Sequence, residues 1–207
     1  MKNIAIFDFD ETLVKENSLS LLFKYFLGNK PLFIYLFPII LNFRIYIGSI
    51  KTVIKSRLYK RALTNKSMME VFQAGNSAAD KLTPIQPVVD RMMSLHAEGI
   101  EVWIITASPQ AFIEGVVAQL GWPINRVIGT LLKEENNVLN GLVGNECQID
   151  EKVIRFNKLM QDEKVQCTVK EAYGNLPVDI PMLGLAKKKF CVTDGKLSLF
   201  LGVNNEC

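Results

Sequence analysis

The stretch Phe7-Asp8-Phe9-Asp10-Glu11-Thr12 places two carboxylates at i and i+2 directly after an apolar run, Ile4 to Phe7. Like charges this close repel one another, and hard oxygen donors so arranged favour a bound cation. Phosphoryl transfer needs a nucleophile, a proton donor for the leaving oxygen, and positive charge against the non-bridging oxygens. Asp8 can supply the first and Asp10 the second, with a metal supplying part of the third. For the hexapeptide alone, a solvated acidic loop is the competing reading.

Other chemistry-bearing residues lie far away in sequence. Thr106 ends a second apolar run, Ile100 to Thr106, and offers a hydroxyl donor. The amides after it point toward the positive end of the next helix. Lys152 falls in the first turn of a helix that Asp150 can cap, where the helix dipole disfavours a cation; a surface lysine is the alternative. Gly174-Asn175-Leu176-Pro177-Val178-Asp179 offers an amide and a carboxylate in one loop.

The elements that must position these groups alternate. Ile4–Phe7, Ile100–Thr106, Gln166–Tyr173 and Phe190–Thr193 read as buried strands. Asp194-Gly195 turns the chain into a hairpin return over Lys196–Phe200. Between them lie a helix from Gln86 to Ala97, stopped by Gly99, and a helix capped by Ser108 with Pro109 at its first position, ending at Gly121. The helix from Asp150 turns Val153, Phe156 and Met160 inward. Asn136-Asn137 and Asn140-Gly141 suit a β-hairpin beside the sheet. The pattern predicts an α/β fold with a Rossmann-like parallel sheet covered on both faces. In such sheets ligands bind at the carboxyl ends of the strands, where Asp8, Thr106 and the Gly174 loop all fall.

Residues 15–82 do not alternate and read as an all-helical cap inserted after the first strand, leaving 1–14 and 83–207 as the core. Leu19, Leu22, Phe23, Phe26 and Leu27 form one helix face, and Gly28 can stop that helix. His96, at a helix end, reads as structural.

Four motifs in order carry a resemblance to a known family. Asp8-x-Asp10-x-Thr12 after an apolar strand resembles the first motif of the haloacid dehalogenase-like (HAD) superfamily. Ile104-Ile105-Thr106-Ala107-Ser108 resembles the second, Lys152 the third, and Gly174-Asn175 through Asp179 the fourth. The resemblance spans nearly the whole chain. It implies a Mg2+-dependent phosphomonoester hydrolase working through an aspartyl-phosphate on Asp8. Asp10 would be general acid and base, Thr106 would bind the transferring phosphoryl, and Lys152 would steady its charge. Thr12, Ala107 and Ser108 would adjoin the substrate. Asp8, the Asp10 main-chain carbonyl and Asn175 would hold the metal, with Asp179 behind them. The fourth motif usually begins with Asp; Asn175 lacks that charge, which implies weaker metal affinity.

The cap's position resembles the phosphoserine phosphatase-like branch. Those phosphatases carry a substrate-binding Glu where this chain has Asn17, with Glu16 adjacent. Val102 to Gln110, and the apolar cap, are similar to phosphatidylglycerophosphatase C-type proteins. That likeness implies a lipid phosphate as substrate; a small soluble phosphomonoester is the alternative. A further class is a HAD-like module binding anionic membrane or protein without turnover.

Charge distribution bears on partners. Asn17 to Met69 holds nine basic residues and no Asp or Glu, whereas the whole chain is only +3. Such asymmetry points to an anionic partner. Pro31 to Ile50 carries one charge, Arg44, close to the roughly 20 apolar residues a bilayer span needs. A single crossing would separate Asp8 from Thr106, so a re-entrant or interfacial hairpin is the expectation. Lys51 to Arg61 adds five cations, so segment 30–61 reads as a peripheral contact with an anionic membrane. Aromatics fall in the apolar run rather than among the cations, so no nucleic-acid binding is expected. The N-terminus shows no signal-peptide pattern, and a cytoplasmic protein, peripheral on the inner membrane face, is expected. Cys147, Cys167, Cys191 and Cys207 have no metal spacing and read as reduced thiols.

Overall fold

The computed structural model describes residues 2–28 and 50–202. The expected apolar stretch at 31–50 therefore lies outside the described residues, apart from Ile50. Eight strands run in chain order: β1 (Lys2–Phe7), β2 (Glu101–Pro109), β3 (Arg126–Thr130), β4 (Leu132–Glu135), β5 (Val138–Val143), β6 (Cys167–Gly174), β7 (Lys188–Thr193) and β8 (Lys196–Leu199). The described helices are α1 (Ser18–Leu27), α2 (Ile50–Leu63), α3 (Met68–Ala78), α4 (Gln86–Ala97), α5 (Gln110–Leu120), α6 (Asp150–Asp162) and α7 (Ile180–Leu183).

Six strands form one sheet in the order β3-β2-β1-β6-β7-β8, parallel except for β7 with β8. The expected α/β fold with a parallel sheet is thus observed. β1 is central. The chain leaves it toward β2 and later returns to β6 on its other side, which makes the carboxyl end of β1 a topological switch point. Side chains alternate across the sheet. Ala5, Phe7, Val102 and Ile104 join the core on one face with α4 and α5. Ile4, Ile6, Trp103 and Ile105 join the other with Phe156 of α6. A stack of rings runs across three strands: Phe7 on Tyr173 at 4.4 Å between centroids, and Tyr173 on Phe190 at 4.8 Å. This ladder fixes the register of β1 just before Asp8.

The chain leaves and re-enters the sheet region through a zipped crossing. Lys15 N–H donates to Thr83 O, Ile85 N–H to Leu13 O, and Glu16 accepts from the Thr83 amide and hydroxyl at 2.7 Å each. Beyond the crossing, α1 buries Leu22 and Phe23 and stops at Gly28, φ +76°. Helix α3 begins with a capping box, Ser67 with Glu70. It crosses α5 backbone to backbone. A Cβ on Gly75 would lie 2.0 Å from Phe112 O, and one on Gly115 2.0 Å from Phe72 O.

The β4–β5 hairpin turns through Asn136 and Asn137, both at positive φ, as the sequence suggests. Three local expectations are corrected. Ser108 does not cap α5: β2 continues to Pro109, paired with Thr130, and α5 starts at Gln110 without a side-chain cap. Asp150 does not cap α6, because the preceding Ile149 takes that place at φ +51° without a capping hydrogen bond. Cys191 is disulfide-bonded, against the expectation of reduced thiols, whereas Cys147 and Cys167 are free.

Candidate active site

Asp8 follows β1 and is held by its own amide, which donates to Tyr173 O of β6 at 2.9 Å. The residue is nearly enclosed, 6 % exposed. Lys152, 3 % exposed, donates through Nζ to Asp8 Oδ1 and to Asp179 Oδ1, each at 2.6 Å. Lys152 is therefore no surface residue. Its unfavourable place in the first turn of α6 is offset by two carboxylates. Burial disfavours its charge, but Asp8 and Asp179 together outweigh that and raise its pKa, so the ammonium persists.

Asp179 is buried in the loop after β6. Its Oδ2 accepts from the Asn175 amide at 2.9 Å. The approach requires Gly174, where a Cβ would lie 2.6 Å from Asp179 Oδ2. Burial, and then the charge of Asp8, raise the Asp179 pKa despite the ion pair to Lys152. The physical reason is that one ammonium is shared by two carboxylates.

Asp10 occupies a different environment. Oδ1 accepts from the Ser18 amide at 2.9 Å, at the first turn of α1, and Oδ2 from Ser108 Oγ at 3.4 Å. The Ser18 and Ser108 hydroxyls lie 2.7 Å apart. Burial raises the Asp10 pKa to about 6; hydrogen bonds from Ser18 oppose the shift and Asp8's negative charge adds to it. A carboxyl so tuned can hold or release a proton near neutrality.

Thr106 is 1 % exposed at the end of β2, and its Oγ1 accepts from the Ser108 amide at 3.2 Å. Thr12, fully buried, donates to Asp8 Oδ2 at a long 3.4 Å. Ala107 is half-buried, and its carbonyl accepts from Thr130 Oγ1 at 2.6 Å. The structure thus collects Asp8, Asp10, Thr12, Thr106, Ala107, Ser108, Lys152 and Asp179 at one sheet edge.

Asn175 stands at the rim. Its Nδ2 donates to Glu11 Oε2 at 3.1 Å. Glu11 is one residue the sequence reasoning missed; its φ of +59° is the local irregularity that turns it there. Ser18 is the other. Its signal, a small hydroxyl residue opening the helix after the acidic turn, is too common to single out. Asn17 caps α1, accepting from the Ser20 amide at 3.1 Å, and Glu16 is engaged with Thr83, so both are structural. A cleft of about 620 Å³ beside the site touches these residues only through Glu11 and Asn175.

Hard oxygen donors are what the site offers a cation. Among the described residues no three His, Cys, Asp or Glu side chains converge as a metal cluster. The acidic excess is nonetheless real, with three carboxylates against one ammonium and the pKa values of Asp10 and Asp179 raised. Asp8, Asp179, the Asp10 carbonyl and the Asn175 amide offer oxygens of the hard type that a divalent ion takes.

Two acids with one residue between them, a buried lysine and a buried hydroxyl thus meet at the switch point of a parallel sheet. The chain belongs to the haloacid dehalogenase-like hydrolase family, whose model matches residues 5–184. It is 27% identical over 193 residues to "Protein CicA" of Caulobacter vibrioides, covering 90% of this chain and 84% of that protein. The fold is similar to that of a protein of unknown function from Bordetella pertussis, with a TM-score of 0.67, 17% identity, and 91% and 89% of the two chains covered. It is also similar to a phosphoserine phosphohydrolase-like protein from Francisella tularensis, with a TM-score of 0.60, 23% identity, and 91% and 86% covered.

Proposed function

We propose that the protein is a phosphomonoester hydrolase. Asp8 Oδ2, held only by the long Thr12 hydrogen bond among the described residues, attacks phosphorus. The P–O bond to the leaving alcohol breaks, and Asp10 gives its proton to that oxygen. Asp10 then takes a proton from water as the water attacks the aspartyl-phosphate, releasing phosphate and restoring Asp8. Thr106 and Lys152 position and stabilise the transferring group. The observation that carries this reading is the contrast between the two acids. Asp8 has an ammonium at 2.6 Å, while Asp10 has none among the described residues and is held near pKa 6 by burial. Phosphate release from p-nitrophenyl phosphate, abolished in Asp8→Asn, is the test; equal turnover by that variant would refute it.

Phosphatases of the family generally use Mg2+. Here Asp8, the Asp10 carbonyl, Asn175 and Asp179 would hold it, and it would supply positive charge against the non-bridging oxygens. Activity lost to EDTA and restored by Mg2+ tests the metal requirement.

The segment 15–82 serves as the cap in this reading. Its substrate class is a phosphate ester at an anionic membrane surface, on the inner face, with a soluble monoester as the alternative. Support comes from the acid-free, basic run Asn17–Met69 and from α2, where Arg57, Lys60 and Arg61 are exposed. Lys55 is instead turned inward onto Glu146 at 2.7 Å. No helix among the described residues is long and apolar enough to cross a membrane. Flotation with phosphatidylglycerol liposomes tests the contact; failure to float leaves the soluble alternative.

A further inference from the structure

Strand β6 carries an irregularity on its way to the site. Its pairing with β1 runs Ile4 with Val169 and then Ala5 with Glu171, so Lys170 is an extra residue, a β-bulge. Pairing with β7 on the other side is regular from Glu171 to Gly174. The bulge reverses which way the side chains point. Val169 packs with Ile4 and Ile6 on one face of the sheet. Tyr173, two residues past Glu171, packs with Ala5 and Phe7 on the face that α4 covers.

Glu171 sits at the bulge as a buried carboxylate, 5 % exposed. Arg91 of α4 grips it with two hydrogen bonds, Nε to Oε2 at 3.1 Å and Nη2 to Oε1 at 2.8 Å, and the Tyr173 hydroxyl donates to Oε2. A buried ion pair adds little net stability, since apolar side chains of like volume serve a core as well or better. What this pair does is exclude an alternative pairing. A regular ladder without the bulge sets Lys170 beside Ala5, facing the Arg91 guanidinium. It also turns Glu171 beside Ile6 on the apolar face, without a partner. Both placements are unfavourable, so the Arg91–Glu171 pair holds the bulge where it is.

The slip it prevents advances the end of β6 by one residue, about 3.3 Å, along β1. Tyr173 then leaves the stack between Phe7 and Phe190, and its carbonyl leaves the Asp8 amide that it now accepts from at 2.9 Å. The loop from Gly174 to Asp179 moves with it, against a Lys152–Asp179 contact of 2.6 Å.

We propose that Glu171 is a positioning residue for phosphoryl transfer: clamped to Arg91, it fixes the bulge at Lys170 and so the register in which β6 delivers the Asn175–Asp179 loop to Asp8 and Lys152. The inference rests on the phosphatase reading above.

Deletion of Lys170 provides the test, because it removes the bulge while keeping every later pairing; Glu171 with Ala5 then follows Val169 with Ile4 directly. In the full chain, Glu171→Leu is expected to lower kcat for p-nitrophenyl phosphate about 10²-fold, the scale of a misplacement of an ångström or more, with a smaller change in KM. Amide hydrogen exchange over residues 172–180 is expected to quicken as well. In the Lys170-deleted chain no slip is available, and Glu171→Leu is expected to leave kcat and exchange within about 3-fold of the deleted parent. A purely structural Glu171 lowers the thermal midpoint in both backgrounds and kcat per folded molecule in neither; that result overturns the proposal. So does an equal loss of kcat in both backgrounds, or a Lys170-deleted chain that does not fold, because the bulge then serves more than register. Should Glu171→Leu not fold, Glu171→Gln, which keeps one acceptor for Arg91, carries the same comparison at about 10-fold. Wild-type turnover no greater than that of Asp8→Asn defeats the phosphatase reading instead, and the exchange comparison then decides the register on its own.

Discussion

Lys152→Met removes one charge while keeping most of the side-chain volume. Two carboxylates lose their shared partner, each now 2.6 Å from the ammonium. At that distance each pair is worth about 6 kcal/mol of gross attraction with an effective dielectric near 20. Most of that is offset by the desolvation of three buried charges. Breaking a buried pair while leaving its partner charged typically costs about 3–5 kcal/mol. With a urea m-value of about 2 kcal/mol/M, the midpoint should fall by roughly 2 M. Activity should fall about 10²–10³-fold, the loss expected on removing one preorganised stabiliser of transition-state charge. The assay is urea unfolding alongside p-nitrophenyl phosphate kinetics. The decisive arm is the double variant Lys152→Met with Asp179→Asn, which removes the uncompensated charge. It should be about 1–3 kcal/mol more stable than the sum of the single effects. Strict additivity, or a Lys152→Met protein with wild-type turnover, would show that Lys152 does not act by holding these two carboxylates.

Asp10→Asn should release about one equivalent of nitrophenol in a burst, because nitrophenol leaves without a proton donor, and then slow about 10²–10⁴-fold; a steady wild-type rate in stopped-flow would contradict Asp10 as the base. Gly75→Ala should lower stability by about 1–3 kcal/mol through overpacking of the α3–α5 crossing, read by thermal melting. Asn175→Asp sets a carboxylate against Glu11, so its Mg2+ affinity should improve only when combined with Glu11→Gln; activity titrated with Mg2+ for both variants separates ligand charge from that repulsion. For Glu171, burial raises the pKa, but the two hydrogen bonds from Arg91, with the one from Tyr173, outweigh it and lower the carboxyl below 4.5. A depressed folded pKa gives stability that is present above the unfolded value and lost as pH falls through the folded one. The melting-temperature gap between wild type and Glu171→Gln should therefore be widest at neutral pH and narrow below about pH 4.5; a gap independent of pH would remove the Arg91 pairing as its cause.

The strands are legible because they depend on short-range pattern. β1, β6 and β7 fall within two residues of where hydrophobicity places them. What stayed hidden depends on pairing across the fold. Gly75 and Gly115 look like weak points in their helices until α3 and α5 are seen to touch through them. Ser108-Pro109 reads as a helix start because local statistics favour it, yet pairing of Pro109 with Thr130 extends β2 and frees the Ser108 hydroxyl for Ser18 and Asp10. Lys152 looked misplaced against its helix dipole. That local conflict was itself the signal, because only strong tertiary compensation keeps a cation there.

The two acids are anchored to different parts of the chain, and this shapes how the site can work. Asp8 is fixed wholly from the sheet side, by the Tyr173 carbonyl, by Lys152 of α6 and, through Lys152, by Asp179. Asp10 receives its shortest hydrogen bond from Ser18, the first residue of α1 beyond the zipped crossing, and a longer one from Ser108 of β2. In the proposed mechanism the nucleophile therefore needs only the core, whereas the acid is oriented by the helical segment and the core together. A substrate that settles α1 and α2 onto the sheet edge acts on the same contacts that orient the Asp10 proton. Binding energy from the leaving group can in that way be expressed in the protonation step rather than in uniform binding, the condition for raising kcat instead of merely lowering KM.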